Sequence, residues 1–306
     1  MTHYSTLVDD ALGVNPQRSR RIVEQSVIQG KVIESLDRSG LLDTFVLRGG
    51  NAIAGCYDGI RLSEDLDFAS QGEIDRACAE AFHADIEGAA SDELGVELRV
   101  ERPNSLESGL VRWTVSANTT PERPDLPHTR VKVEAARIAS HSANTRAFGN
   151  PALSSPSPVP PIVLVESPTE LIADKIVSFT MTPRYLRYRD LFDIEFLRRG
   201  FAIDLASFPE LVMGKIGEYG IENAQERFDA VCQLLEDDDV PTSLRDHLDG
   251  MLATEQGRSL ISSRRQVEAI AAASLELISS VTVAISLGPL NPGTRQDRPL
   301  SPAIKP

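Results

Sequence analysis

The stretch from Phe45 to Phe68 constrains this 306-residue chain more than any other. Its apolar run Phe45-Val-Leu47 is short and β-compatible, Gly49-Gly50 follows at once, and Asn51 to Tyr57 then reads as helix. A second short strand is expected at Leu66-Asp-Phe68. A glycine pair between a strand and a helix lets backbone N–H groups approach a phosphate at the helix N-terminus. On the second strand Asp65 and Asp67 are two residues apart, so the pleat puts both carboxylates on one face. Leu66 and Phe68 then face the core, and Glu64, of the same parity, is expected to turn away with them. Each of these signals alone is common; in this order they predict a phosphate cradle beside a metal site.

Two magnesium ions held for in-line displacement need a third carboxylate. Glu134 is the candidate, on an expected strand Arg130 to Glu134 where it shares a face with Lys132 between Val131 and Val133. Further on, Ser167-Pro-Thr-Glu170 reads as a capping box with proline at the first helical position, leading into Leu171 to Val177. That helix carries Lys175, whose ammonium suits phosphate neutralisation. Asp190 and Asp193, three apart, share a helical face, and Asp190 can orient Lys175 or an attacking hydroxyl. Ser63, two residues before Asp65, is grouped with the nucleotide-binding residues; a phosphate added there would set negative charge against the metal carboxylates. A surface salt-bridge network is the plain alternative for the Lys175, Asp190 and Asp193 set.

Around this core the chain reads as α+β. Apolar spacing over Arg18 to Ser39 predicts an opening helix that stops at Gly40, and a further helix is expected over Ile74 to Gly88. Alternation at Val96–Val100 and Leu110–Val115 adds two strands to a mixed sheet. Residues 140–161, rich in Ser, Pro, Asn and Gly, mark the expected boundary between a mixed-sheet domain over 1–160 and a helical domain over 161–285. Residues 286–306, rich in proline, are expected to form a disordered tail.

The formal charge of −14 repels a polyanion at long range, so a nucleic-acid partner needs a local basic patch. Arg184, Arg187, Arg189, Arg198 and Arg199 are the candidates, with Arg184, Arg187 and Arg189 assigned to RNA. Aromatic residues are few, 5% of the chain, which argues against a stacking platform for single strands. Three scattered cysteines, Cys56, Cys78 and Cys232, make neither a disulfide framework nor a zinc site and favour a reducing compartment. The first residues lack a secretory signal, and the apolar stretch Leu277 to Leu287 is too short to span a bilayer, so the expected location is cytoplasmic, with no membrane.

Leu47-Arg-Gly-Gly-Asn-Ala-Ile53, Arg61-Leu-Ser-Glu-Asp-Leu-Asp-Phe68, Val131-Lys-Val-Glu134, Glu170-Leu-Ile-Ala-Asp-Lys175 and Arg189-Asp-Leu-Phe-Asp193 together resemble the AbiEii/AbiGii toxin nucleotidyltransferases of the DNA polymerase β-like superfamily. The resemblance covers roughly Arg18 to Arg199 and implies a nucleotidyltransferase fold. It implies an NTP- and magnesium-dependent transfer of a nucleotide to an acceptor, which for some members is the 3′ end of tRNA, with growth arrest and a cognate antitoxin. By motif match, Gly49 and Gly50 bind phosphate, Asp65 and Asp67 the metal, and Lys175 the triphosphate, while Asp190 completes the site. Glu134 stands where the family usually has Asp. The expected function is therefore a toxin that transfers NMP from an NTP to RNA. The alternatives are transfer to a small molecule or protein side chain, or a catalytically silent nucleotide-binding protein.

Overall fold

The computed structural model describes residues 3–287 apart from 15, 17, 121, 124, 126, 154–158, 249, 250, 253 and 254, so the expected tail lies, from 288 onward, outside the described residues. In chain order the elements are α1 (His3–Val14), α2 (Arg20–Arg38), β1 (Phe45–Arg48), α3 (Gly49–Cys56), β2 (Leu66–Ser70) and α4 (Arg76–Asp85). A π-helical turn, Ile86–Ala90, joins α4 to α5 (Ser91–Leu94). There follow β3 (Leu98–Glu101), β4 (Leu110–Ala117), β5 (Thr129–Ala136), β6 (Ala143–Ala147) and β7 (Ile162–Glu166). The rest is helical: α6 (Pro168–Met181), α7 (Tyr188–Gly200), α8 (Phe208–Glu218), α9 (Ala224–Leu235), α10 (Val240–Leu248), α11 (Glu255–Ser259) and α12 (Arg264–Leu287).

The strands form one mixed sheet in the order β3-β4-β5-β2-β1-β7-β6. Its middle is set by the expected strand parity. Phe45, Phe68 and Trp113 pack together on the core side, with ring centroids 5.3 and 6.4 Å apart, and Phe82 of α4 meets Trp113 edge-on at 6.0 Å. Helix α2 supplies Ile22, Val23, Val27, Ile28, Val32, Ile33 and Leu36, all buried, as its spacing predicts. Each such side chain contributes roughly 1.5–3 kcal/mol relative to exposure. Gln25 and Gln29 of the same helix are also buried, because they donate to backbone carbonyls: Gln25 to Arg130 O and Gln29 to Ser63 O, both at 3.0 Å.

Two expectations change. Residues 140–161 carry β6, whose five residues are all exposed, and β6 pairs antiparallel with β7. Since β7 runs parallel to β1, the sheet continues to Glu166 and the position 160/161 falls inside the β6–β7 hairpin. The stretch Leu277 to Leu287 is the end of α12, a helix of 24 residues that is long and apolar enough to cross a membrane by length and composition alone. Here one of its faces is used for packing: Val267, Ile270, Leu277, Ile278 and Val281 are buried, and α7, α8, α9 and α10 are its neighbours.

The Trp113 indole donates to His83 Nε2 at 2.9 Å inside the core, so this histidine must stay neutral. Burial, together with Arg102, holds its pKa below the ordinary value of 6.5. A base disfavoured in its charged form stabilises the fold above the unfolded pKa and withdraws that contribution as pH falls below it. Thermal unfolding followed by circular dichroism at pH 7, 6 and 5 is expected to show a falling midpoint. His83→Gln, whose amide oxygen accepts the indole proton without titrating, is expected to flatten that slope; an unchanged slope contradicts the assignment.

Candidate active site

The C-terminal end of β1, the start of α3 and the loop before β2 open onto one cleft of about 490 Å³, closed on the far side by α6 and α7. Arg48, Gly49, Gly50, Ser63, Glu64, Asp65, Asp67, Glu134, Lys175, Arg187, Arg189 and Asp190 all line it. The segments singled out along the chain therefore converge on one place.

The glycine pair is demanded by close approach. Gly49 has φ +71°, a left-handed conformation, and a Cβ there would stand 2.5 Å from Asp67 Oδ2. A Cβ on Gly50 would stand 2.5 Å from Ser63 Oγ and 2.8 Å from the Arg61 guanidinium. The pair thus lets the start of α3 sit against the loop 61–67, where Asn51 Nδ2 also donates to Asp65 O at 2.7 Å.

Asp65 and Asp67 both line the cleft, Asp67 from β2 and Asp65 from the bend that precedes it. No hydrogen bond or ion pair to either carboxylate is found among the described residues. Burial pushes the Asp67 pKa up to about 6, Asp65 and Glu134 adding to the shift and Arg48 opposing it. Burial and the neighbouring Glu64 and Glu134 raise Asp65 as well, against the pull of Lys132. Two desolvated carboxylates that form no ion pair among the described residues are a donor set that fits a hard divalent cation.

Glu134 is the register neighbour of Asp67 across the parallel β2–β5 pair, so it lies on the right face. Its carboxylate, however, accepts from Arg112 Nε at 2.6 Å, on the neighbouring strand β4. Among the described residues no group of three His, Cys, Asp or Glu side chains is close enough to hold a metal, so the three expected ligands are not drawn together. Glu64 corrects the parity argument. It sits in a bend before β2, lines the cleft, and accepts from Arg189 at 2.7 Å instead of turning into the core.

The opposite wall is cationic and, apart from exposed Arg187 and half-buried Ser178, buried. Lys175 Nζ lies 2.8 Å from both Asp190 Oδ1 and Asp193 Oδ2. Arg61 grips Asp193 through two bonds of 2.9 and 2.6 Å, while Ser178 and Arg187 bond to Asp190. Burial works against the charge of Lys175, but Asp190 and Asp193 outweigh it and raise its pKa. Burial would raise Asp190, yet Lys175 and Arg187 hold it far below the carboxylate range. Three cations against two carboxylates leave this wall with a net positive charge.

Arg187 and Arg189 stand at the cleft, whereas exposed Arg184 is not part of its lining. Arg198 and Arg199 do not join them: they lie at the other end of α7, roughly 14 Å away at 1.5 Å per residue, and pair with Glu276 and Glu195. The expected basic patch is therefore split in two. Sequence reasoning missed Arg48, Arg61, Asp174 and Tyr219, which also line the cleft. Arg61 opens the motif and Asp193 follows Asp190 by three residues, but nothing local announces that the two meet across 132 positions.

A search of curated proteins found no match. The fold is similar to that of MenT4, a nucleotidyltransferase toxin from Mycobacterium tuberculosis H37Rv, with a TM-score of 0.50 at 17% identity, over 92% of this chain and 98% of that one. The structure of JHP933 from Helicobacter pylori is matched with a TM-score of 0.46 at 16% identity, over 86% of this chain and 97% of that one. The model of the family described as nucleotidyl transferase AbiEii toxin, type IV toxin–antitoxin system, matches residues 31–272, and the chain belongs to that family of toxin nucleotidyltransferases.

Proposed function

We propose that this toxin transfers a nucleoside monophosphate from an NTP to an RNA acceptor, the 3′ end of tRNA, and so blocks translation in the cytoplasm until a cognate antitoxin intervenes. Nucleotidyltransferase toxins generally use an NTP and a divalent metal, and the family implies an antitoxin partner. The observation that carries the reading is the meeting, in one cleft, of two unpartnered aspartates, a glycine pair at a helix N-terminus and a buried lysine.

In this reading the acceptor hydroxyl attacks the α-phosphorus, the bond to the bridging oxygen breaks, and pyrophosphate leaves. The α3 amides after Gly49 and the Lys175 wall hold the triphosphate, with Ser63 beside them. Asp190 keeps Lys175 charged and fixed. Asp65 and Asp67 would hold magnesium, which when bound supplies neutralisation of phosphate charge and activation of the hydroxyl. A second ion calls for Glu134 to exchange Arg112 for the metal. Arg187 and Arg189, with Arg184 beyond the cleft, would track the RNA backbone as local cations on an acidic protein. The same reading divides the chain at Glu166/Ser167, between the sheet and the helices, in place of 160/161.

Total RNA incubated with each labelled NTP and magnesium is expected to take up label, and Asp65→Ala is expected to lower the rate about 100-fold or more, the scale of a lost metal contribution. Label found only on protein or on small molecules would replace RNA by the alternative acceptors. Gly50→Ala tests the cleft geometry separately. Its Cβ would meet Ser63 and Arg61, so overpacking of about 1–3 kcal/mol and a rate loss on the order of 100-fold are expected in thermal melts and the same transfer assay. A variant with wild-type rate would mean that the approach of α3 to the 61–67 loop is not needed.

A further inference from the structure

Behind the glycine pair lies a second buried ion cluster that the reading above leaves unused. Arg48, the last residue of β1, is the cross-strand partner of Asp67 and lines the cleft immediately before Gly49. Its Nη2 lies 2.6 Å from Asp174 Oδ2. The other oxygen of Asp174 is held 2.8 Å from Lys215 Nζ, and Lys215 also pairs with Glu170 Oε1 at 2.8 Å. Glu170 is anchored in turn by the backbone N–H groups of His141 and Ser142, at 2.8 and 2.7 Å. Lys215 comes from α8, far from any segment that carried a motif, and its side chain is only 1% exposed.

Arg48 and Lys215 bring two positive charges, and Glu166, Glu170 and Asp174 bring three carboxyl groups. Both Glu166 oxygens are buried, and burial together with the adjacent Asp174 pushes its pKa well above the carboxylate range. A desolvated cluster of this kind adds little net stability over apolar packing. Its geometric effect is clear: Lys215 occupies one side of Asp174 and leaves the other for Arg48. Asp174 meets one terminal nitrogen of a guanidinium with five donors, Glu166 Oε1 lies 4.0 Å from its Nε, and the arginine remains part of the cleft wall.

We propose that Arg48 is a further phosphate-binding cation of the NTP site, beside Lys175 and the α3 amides, and that Asp174 and Lys215 are positioning residues that hold its guanidinium there. The inference rests on the reading of the cleft as an NTP site. Arginine suits the role because its planar fork meets phosphate oxygens two at a time, provided the fork is held in orientation.

The test is calorimetric titration of inorganic tripolyphosphate, at fixed magnesium, into the full-length wild type, Arg48→Gln, Asp174→Asn and the double variant, each checked for folding by thermal melting. Asp174→Asn removes a negative charge from the cleft wall, so electrostatics alone predicts tighter binding of an anion. Positioning predicts the opposite: about 10-fold weaker binding, and no further loss when Arg48 is already replaced. Asp174→Glu keeps every charge while moving the carboxylate by one methylene. It is expected to weaken binding by about threefold or more, and it decides the matter where Asp174→Asn does not fold. A wild type that does not bind tripolyphosphate overturns the NTP-site reading and this inference with it. A wild type that binds, with both Asp174 variants equal to it or tighter, overturns the inference alone.

Discussion

The structure of the cleft depends on the chain of buried ion pairs that runs from Arg61 through Asp193 and Lys175 to Asp190. Arg61 belongs to the loop before β2, Lys175 to α6, and the two aspartates to α7. Residues more than a hundred positions apart are locked at hydrogen-bond distance, and the helical part is thereby aligned on the sheet. Each side chain is almost wholly buried, so removal of one member would strand a charge without water, at a cost of about 3–5 kcal/mol. The desolvation spent in burying such pairs largely cancels their attraction. What the network contributes is therefore less net stability than orientation: Lys175 has one position available to it, at the cleft wall.

That alignment has a steric counterpart at the glycine pair. The Arg61 guanidinium that grips Asp193 is the same group that a Cβ at Gly50 would strike, so the absence of a side chain on α3 and the ion pair to α7 are two conditions on one contact. From below, Gln29 of α2 fixes the carbonyl of Ser63, and Asn51 fixes that of Asp65. The loop carrying Ser63, Glu64 and Asp65 is thus tied to α2, α3, α7 and, through the bond from Leu62 N to Met251 O, to the chain beyond α10. A loop held at four points can keep two carboxylates close together although it has no regular structure of its own.

How much of this was legible in the chain follows from the range of the interactions. Local rules located α2 from its apolar spacing, the cap at Ser167, whose Oγ accepts from Glu170 N at 3.2 Å, and the strand that aims Asp67 at the cleft. They located Asp65 for a partly fortunate reason: residues 64 and 65 lie in a bend, where period two no longer holds, and Glu64 accordingly faces the cleft as well. Strand β6 escaped because Ala143-Asn-Thr-Arg-Ala147 is an edge with no buried side, and so shows no alternation. Arg48, Arg61, Asp174 and Lys215 escaped for a different reason. Their partners are chosen by the tertiary fold, and a charged residue on a strand end or a helix reads as solvated until its neighbour is known.

Charge separation inside the cleft connects the two ion clusters to an acidic chain. Asp65, Asp67 and Glu134 line one part of the cleft with carboxylates, and the wall around Lys175 carries a net positive charge. Opposite charges of this kind orient a ligand that is itself polar along its length, such as a metal-bound polyphosphate, and resist a uniformly charged one. The formal charge of −14 acts on a different scale. Beyond a Debye length of about 8 Å at physiological ionic strength it is largely screened, so what reaches the cleft mouth meets mainly Arg187 and Arg189. Of these, Arg189 already answers Glu64 at 2.7 Å and Arg187 answers Asp190, so a nucleic-acid backbone has to compete with carboxylates for both. Under the RNA reading proposed above, such competition disfavours a backbone held by charge alone and favours groups that fit the cleft itself.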